Sequence, residues 1–496
     1  MKYTSTRNPE LHVTAAQAIA QGISEEGGLF VPESFPAADL NEMLHLDYIG
    51  RAKYVLSRFL TDFTEEEIAE CAELAYAAEK FEFDTPAKVV SLDSHGENKH
   101  ILELWHGPTC AFKDMALQIL PHLLTKSLKK TADGKTAVIL VATSGDTGKA
   151  ALEGFKDVPG TEMIVFYPEN GVSPMQKRQM NTQEGGNVCV CAIEGNFDDA
   201  QTGVKKIFTD EAVKAALKKN NKMFSSANSI NWGRLLPQIV YYFSAYLDLV
   251  NAGKVELGDA INVVVPTGNF GNILAAYYAK QMGLPVKKFI CASNSNNILT
   301  DFIRTGVYDK KREFHTTISP SMDILVSSNL ERLLYHLCGK DSEKLTSWMN
   351  ALATGGNYTV DADTADAVTE LFYGGCCDDR QTVETIRRVF CEDDYLCDTH
   401  TAVAMHVYGT YCRETGDETP TVIVSTASPY KFSDSVLNAF NADKPEDEFE
   451  EAALLSEMTG TEIPLPILAL QGKAVRFNNL CAADEMPGFV MKTIGV

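Results

Sequence analysis

The sequence predicts an α/β fold, with two open α/β domains preceded by a helical N-terminal region, and two stretches carry that prediction. From Thr136 short apolar runs alternate with helical patterns: Ala137 to Val141, Met163 to Tyr167 and Val188 to Ile193 read as strands, with helices over Lys149 to Phe155, over Gln176 to Thr182 and from about Asp199. Uninterrupted apolar strands separated by helices are what a parallel sheet covered on both faces requires. A second run of the same kind opens with the strand Ile261 to Val265, passes a glycine-containing turn and a helix from Ala275 to Lys280, and reaches strands at Phe289 to Ala292 and Thr421 to Ser425. The expected partition is an N-terminal region over 1–94, a large domain from 95–135 and 226–496 with a helical insert at about 300–400, and a small α/β domain over 136–225.

The N-terminal region reads as mostly helical. Ala16, Ile19, Ala20 and Ile23 fall at helical spacing, a proline-rich break follows at Pro32 to Pro36, and further helices are expected near 48–60 and 64–80. Leu117, Leu120, Leu123, Leu124 and Leu128 mark the buried side of a helix that Pro121 should kink or restart. The segment 300–400 reads as helical and acidic with no chemistry of its own, and Lys444 to Ala452 as an acid-rich connector.

With 496 residues the chain is long enough for several domains. Its 67 acidic against 44 basic residues, a net charge of -23, set an unfavourable field for nucleic acid or an anionic membrane, and no basic stripe offsets it. No run is long enough to span a membrane, and the N-terminus has neither an apolar signal core nor an acid-poor, Arg-rich character. The 12 cysteines show no CxxC spacing, so free thiols in a reducing cytoplasm are expected and no metal site is.

Chemistry concentrates in a few segments. Trp105-His106-Gly107-Pro108-Thr109-Cys110-Ala111-Phe112-Lys113 sets one lysine after small and apolar residues. Desolvation there favours the neutral amine, which attacks carbonyl carbon; a snorkelling lysine at a helix start has the same flank. Pro266-Thr267-Gly268-Asn269-Phe270-Gly271-Asn272 lies between a buried strand and a helix, where backbone N–H groups and the helix dipole converge on a point suited to phosphate, although a plain strand-to-helix turn reads alike. Thr143 to Lys149 is not a P-loop, because Thr143 stands where the first glycine belongs and Ala150 where Ser or Thr should follow. It is instead a hydroxyl-rich helix start able to take a carboxylate through Ser144 and Thr147, or simply a helix cap. Asn228 to Arg234 gathers amides, a hydroxyl and a guanidinium suited to a second phosphate, with a capped helix and a surface Arg as the alternative. His106 and Asp398-Thr399-His400-Thr401 are further polar candidates.

Together these stretches resemble the threonine synthase family, pyridoxal-phosphate enzymes of the tryptophan synthase β-subunit fold (fold type II). The resemblance runs through Tyr3 to Thr6, His106 to Asp114, Thr143 to Gly148, Tyr167-Pro168 with Gly171 to Ser173, Asn228 to Arg234, Gly268 to Asn272, Asp398 to Val403 and Thr426 to Phe432. It implies pyridoxal 5'-phosphate held on Lys113 as a Schiff base, its phosphate cradled by Gly268, Asn269, Phe270, Gly271 and Asn272, and its pyridine nitrogen met by the Thr426 hydroxyl. It further implies Ser144, Asp146 and Thr147 at the substrate's amino-acid end, and Ser229, Asn231 and Arg234 near the substrate phosphate. The chain departs from the family pattern at Ser428-Pro429-Tyr430-Lys431, where His-Pro-Ala-Lys is common, and at Asp398-Thr399-His400-Thr401, where Asp-Pro-His-Thr is.

The implied reaction turns O-phospho-L-homoserine and water into L-threonine and phosphate, with Lys113 moving protons and the 136–225 domain closing over the site. A threonine or serine dehydratase, or a phospho-lyase of the same fold, would use the same lysine and loop. A non-catalytic binder of a phosphorylated metabolite is the rival from another class. The expected assembly is a monomer or homodimer.

Overall fold

The strand Ile261–Pro266 is buried along its whole length, as an apolar run covered on both faces must be. In the computed structural model, which describes residues 1–92, 98–131 and 134–496, it sits inside a six-stranded sheet. The strand order there is Phe372–Cys376, Val286–Ser293, Ile261–Pro266, Thr421–Ser425, Lys99–Glu103 and Lys88–Leu92. Every pairing is parallel except the last, at the edge. Three neighbouring strands, Ile261–Pro266, Thr421–Ser425 and Lys99–Glu103, therefore point the same way, and the segments that follow them emerge side by side. In open parallel sheets that carboxyl edge is where ligands bind.

A second, fully parallel sheet has the order Asn479–Ala482, Val188–Glu194, Thr161–Pro168, Thr136–Ala142 and Lys222–Ser225. The expected strands of the 136–225 segment are all in it. Its far edge, however, is supplied by Asn479–Ala482, from near the end of the chain, whose short run beside acidic residues carried no strand signal.

Three other expectations change. The N-terminal region is not purely helical: Tyr3–Ser5 pairs with both Asn8–Val13 and Phe30–Pro32 in an antiparallel sheet, before the helices Tyr48–Phe59 and Glu65–Ala75. Its strands are too short to show a period. The segment 300–400 adds Phe372–Cys376 to the edge of the large sheet and a small pair, Val307–Asp309 with Asn357–Thr359, between its helices. The helix expected from Lys149 begins at Asp146, and Pro121 restarts rather than kinks its helix, which runs Leu120–Thr131. The boundary expected at 94 and 95 lies outside the described residues.

The helix Trp232–Asn251 is apolar nearly all round and therefore buried. It packs on the helices Tyr48–Phe59, Gly271–Gln281 and Asp114–Leu117. Trp232 at its start meets the rings of Tyr3, Phe59 and Tyr278, which ties the N-terminal sheet to this centre.

The helix Asp146–Phe155 of the second sheet crosses the short helix Asp114–Leu117 at Gly154, where an added Cβ would come to 1.9 Å from the Leu117 carbonyl oxygen. In a helix interior alanine is favoured over glycine by about 1 kcal/mol. Overpacking against backbone costs about 1–3 kcal/mol, and here the neighbour is main chain that cannot rotate away. Gly154→Ala is thus expected to lower stability by about 1 kcal/mol or more in urea unfolding; an equal or higher urea midpoint would show that the two helices can part freely.

Candidate active site

The segment after Lys99–Glu103 and the segment after Thr421–Ser425 are laced together. Ala111 bridges Ala427, the Phe112 amide donates to the Thr426 carbonyl at 2.8 Å, and the Ser428 amide donates to the Cys110 carbonyl at 3.1 Å. Lys113 follows at once, at the start of the helix Asp114–Leu117. Asp114 closes the turn below it by accepting from the Thr109 amide at 2.8 Å and the Thr109 hydroxyl at 2.7 Å. Gly107 is needed there, since a Cβ would lie 2.7 Å from the Asp114 carboxylate. Burial pushes the Asp114 carboxyl up to about 6, against the pull of its Thr109 hydrogen bonds.

Lys113 is no surface lysine: it is 8% exposed. Its Nζ lies 3.4 Å from Asp146 Oδ2, 3.5 Å from the Ser321 hydroxyl and 4.7 Å from the centre of the Phe112 ring. Burial lowers the amine below the ordinary lysine value; Lys431 and Arg234 push the same way, and Asp146 opposes them.

Asp146 comes from the other sheet, at the first turn of the helix that follows Thr136–Ala142. Its Oδ1 is 2.5 Å from Lys431 Nζ and accepts from Gln176 Nε2 at 2.9 Å, while Oδ2 accepts from the Ser321 hydroxyl at 3.3 Å. Burial alone would raise this carboxyl, but the charges of Lys431 and Lys113 outweigh it and hold Asp146 well below the usual carboxylate range. His400 stands behind Ser321. Its Nδ1 is 2.7 Å from Asp398 Oδ2 and its Nε2 accepts the Ser321 amide at 3.2 Å, an arrangement that places the ring proton on Nδ1.

The turn after Ile261–Pro266 completes the floor. Phe270 takes a left-handed conformation (φ 63°), and the helix Gly271–Gln281 starts beyond it with no side chain capping its first amides. Gly268 is required because a Cβ would lie 2.8 Å from the Ser321 carbonyl oxygen. Asn329 shapes the turn by donating to the Asn269 carbonyl at 3.0 Å and to the Ser229 hydroxyl at 3.3 Å. Asn272 accepts from the hydroxyls of Tyr241 and Tyr242 at 2.6 and 2.5 Å, while its buried amide nitrogen has no partner among the described residues.

Arg234 is 3% exposed, makes one hydrogen bond to the Ala227 carbonyl at 2.9 Å, and leaves its Nε buried without a partner. Burial pulls its pKa down to about 10, and no carboxylate pairs with it among the described residues. A desolvated cation in that state calls for an anion.

Ser144 and Thr147 are half-buried, and their hydroxyls have no partner among the described residues. The hydroxyl that organises this turn is Thr143's, which accepts the amides of Gly145 and Gly148 at 3.0 and 2.9 Å. Asn231 points away from the pocket: it caps the helix through Gly233 and spends its amide on the carbonyls of Ile19 and Ser226, so no donor remains for a substrate. Thr426 is buried, with its hydroxyl unbonded among the described residues. His106 is held between Glu82 and Glu103 at 2.7 and 2.8 Å, a structural role.

These residues meet the needs of a phosphorylated aldehyde. An uncapped helix start, a partnerless Asn272 amide and an unpaired Arg234 are donors awaiting an anion, and a buried amine stands near them. A family model described as pyridoxal-phosphate dependent enzyme matches residues 78–427, one for the threonine synthase N terminus matches 2–76, and one for the threonine synthase C-terminal part matches 401–462. The chain belongs to the threonine synthase family. It is 39% identical over 440 residues to threonine synthase of Pseudomonas aeruginosa, covering 88% of this chain and 90% of that one. It is 41% identical over 438 residues to threonine synthase-like 1 of Homo sapiens, covering 86% of this chain but spanning only 58% of that protein's length. The crystal structure of pyridoxal-phosphate-bound threonine synthase from Brucella melitensis superposes with a TM-score of 0.87 at 34% identity, over 99% of each chain. The fold is accordingly that of the fold-type II pyridoxal-phosphate enzymes.

Beside these family positions stand Ser321, Gln176, Asn329 and Lys431, none of which was singled out as a site residue. Lys431 lies within Thr426 to Phe432, a stretch that carries the family resemblance and so a signal for it; Ser321 lies in the acidic 300–400 stretch, with no motif around it.

The raised Asp114 value makes a prediction. Its folded value of about 6 lies above the ordinary 3.8, so the native state holds the proton longer than the unfolded chain. Stability from this group is therefore present at low pH and falls as pH rises from about 4 to about 6, by up to about 3 kcal/mol for two units. Urea unfolding of Asp114→Asn, which cannot ionise, should show stability gained relative to the parent across that window; a difference constant with pH would contradict it.

Proposed function

We propose that this chain is a threonine synthase, converting O-phospho-L-homoserine and water into L-threonine and phosphate with pyridoxal 5'-phosphate as its cofactor. The observation that carries the reading is a pair of buried basic groups beside one glycine turn: Lys113, an amine with lowered basicity, and Arg234, a guanidinium with no carboxylate partner among the described residues. The first suits a carbonyl and the second a phosphate.

When bound, pyridoxal 5'-phosphate supplies an aldehyde that takes up amines reversibly and a ring that withdraws electrons from the substrate's α-carbon. Gly268, Asn269, Phe270, Gly271 and Asn272 would hold its phosphate with backbone amides, and Thr426 would face its ring nitrogen as a neutral hydroxyl. Lys113 would hold the cofactor through Nζ, and the same nitrogen would take the substrate's α-proton and return one at the end. Ser144 and Thr147, with hydroxyls unspent on the protein, bind the amino-acid end, and Ser229 and Arg234 bind the substrate phosphate. Asp146 carries a full negative charge already matched by two lysines, so it orients amines and does not receive the substrate carboxylate. Asn231 supports Arg234 from behind as a helix cap.

Water must be kept from the reacting carbons until the addition step. The 136–225 segment contributes Asp146 and Gln176, and the Ser173 hydroxyl donates to the Lys431 carbonyl at 3.1 Å, contacts that hold it over the site. The 12 cysteines carry thiols rather than disulfides, as a reducing cytoplasm would keep them.

The rival within the same fold is a phospho-lyase, in which the same lysine and glycine turn would eliminate phosphate and release a keto acid. Assaying the parent chain for threonine against keto acid separates the two. Lys113→Ala should abolish the visible absorbance of bound cofactor and all product formation; retention of either would end the proposal.

Arg234→Met should act in opposite directions on stability and on binding. Removing an unpaired buried cation raises the thermal midpoint of the cofactor-free chain. Removing charge-assisted hydrogen bonds of about 1.5–3 kcal/mol to phosphate lowers kcat/KM by about 10- to 100-fold. A lowered midpoint with unchanged kcat/KM would place Arg234 outside the site.

A further inference from the structure

The functional reading asks Lys113 for a neutral amine, yet Lys113 lies 3.4 Å from a buried carboxylate. In a site poor in water, a carboxylate facing one amine holds it as an ammonium, because the ion pair is the lower-energy state. The geometry around Asp146 removes that conflict. Its closer partner is Lys431, at 2.5 Å on the oxygen that does not face Lys113.

We propose that Lys431 is a positioning residue of the active site: by occupying Asp146 it prevents that carboxylate from capturing Lys113, and so leaves the Lys113 amine free as nucleophile and base. The proposal rests on the functional reading above and adds a role for a residue outside it. Lys431 is 1% exposed and cannot swing away, because its Nζ also donates to the Thr109 carbonyl at 3.1 Å, its amide donates to the Ser428 carbonyl at 3.1 Å, and its own carbonyl accepts from Ser173. Gln176 fixes the carboxylate from a third direction by donating to the same Oδ1.

The charges that face these groups are few. Lys113 meets Asp146, Lys431, Arg234 and the Ser321 hydroxyl. Asp146 meets the two lysines, His400, Gln176 and Ser321. Lys431 meets Asp146 and the Thr109 carbonyl, with Asp114 and the Cys110 thiol near by. Asp146 is the anion in contact with Lys113, and Lys431 is the cation that answers it.

The test is the rate at which cofactor-free chain takes up pyridoxal 5'-phosphate, followed by absorbance across about pH 6 to 10, since only the neutral amine reacts. Lys431→Met should move the midpoint of the rate curve up by about one unit or more, an approximately tenfold slower uptake near neutral pH. Lys431→Gln, which keeps an amide donor for Asp146 but no charge, should shift it likewise, and Lys431→Arg should leave it in place. Adding Asp146→Asn to Lys431→Met should bring the midpoint back down. A purely structural role would change how much cofactor is finally bound without moving the midpoint. An unshifted midpoint in Lys431→Met and Lys431→Gln, no return in the double variant, or loss of folding in both neutral variants would overturn the proposal. A parent chain that takes up no cofactor overturns the functional reading instead, a result that needs no variant to obtain.

Discussion

Three neighbouring strands of one sheet end on the same edge, and the site depends on that. Parallel strands share a direction, so the residues after Glu103, after Pro266 and after Ser425 must leave together, however far apart they lie in the chain. The backbone then draws them closer: Ala111 bridges Ala427, and Gly268 lets the turn after Pro266 meet the Ser321 carbonyl. Side chains refine an arrangement that strand direction has already imposed.

The second sheet repeats the rule from the opposite side. The segment after Thr136–Ala142 carries Asp146 into contact with Lys113 and Lys431, so one carboxylate joins groups from both sheets. Buried charge is tolerable only when matched, and here one anion serves two lysines while Arg234 has no carboxylate beside it among the described residues. The imbalance favours binding over stability, which is common at sites built for anionic ligands.

Most buried strands of both sheets were legible as uninterrupted apolar runs, but Lys99–Glu103, buried along its whole length with a charged residue at each end, was not. Short or edge strands were not legible either. Tyr3–Ser5, Asn479–Ala482 and Phe372–Cys376 are too brief to show a period, and they become strands only because a neighbour offers its free edge. In the site, the glycine turn and Lys113 stood out by local pattern. An asparagine before a helix looks the same whether it caps or binds, and the bonds of Asn231 to Ile19 and Ser226 are tertiary facts. Arg234 read equally well as a surface residue until its burial was known.

By itself the sequence determined the α/β class, the order of the motifs and their family, since each of these rests on residues close together in the chain, where periodicity and turn chemistry are local. Only the tertiary structure decided which charges face one another. Lys113, Asp146, Ser321, His400 and Lys431 are distant in the chain and meet in one water-poor space. Whether a lysine there is a base or an ammonium depends on the nearest opposite charge and on the water excluded around it, and both are properties of the folded arrangement alone.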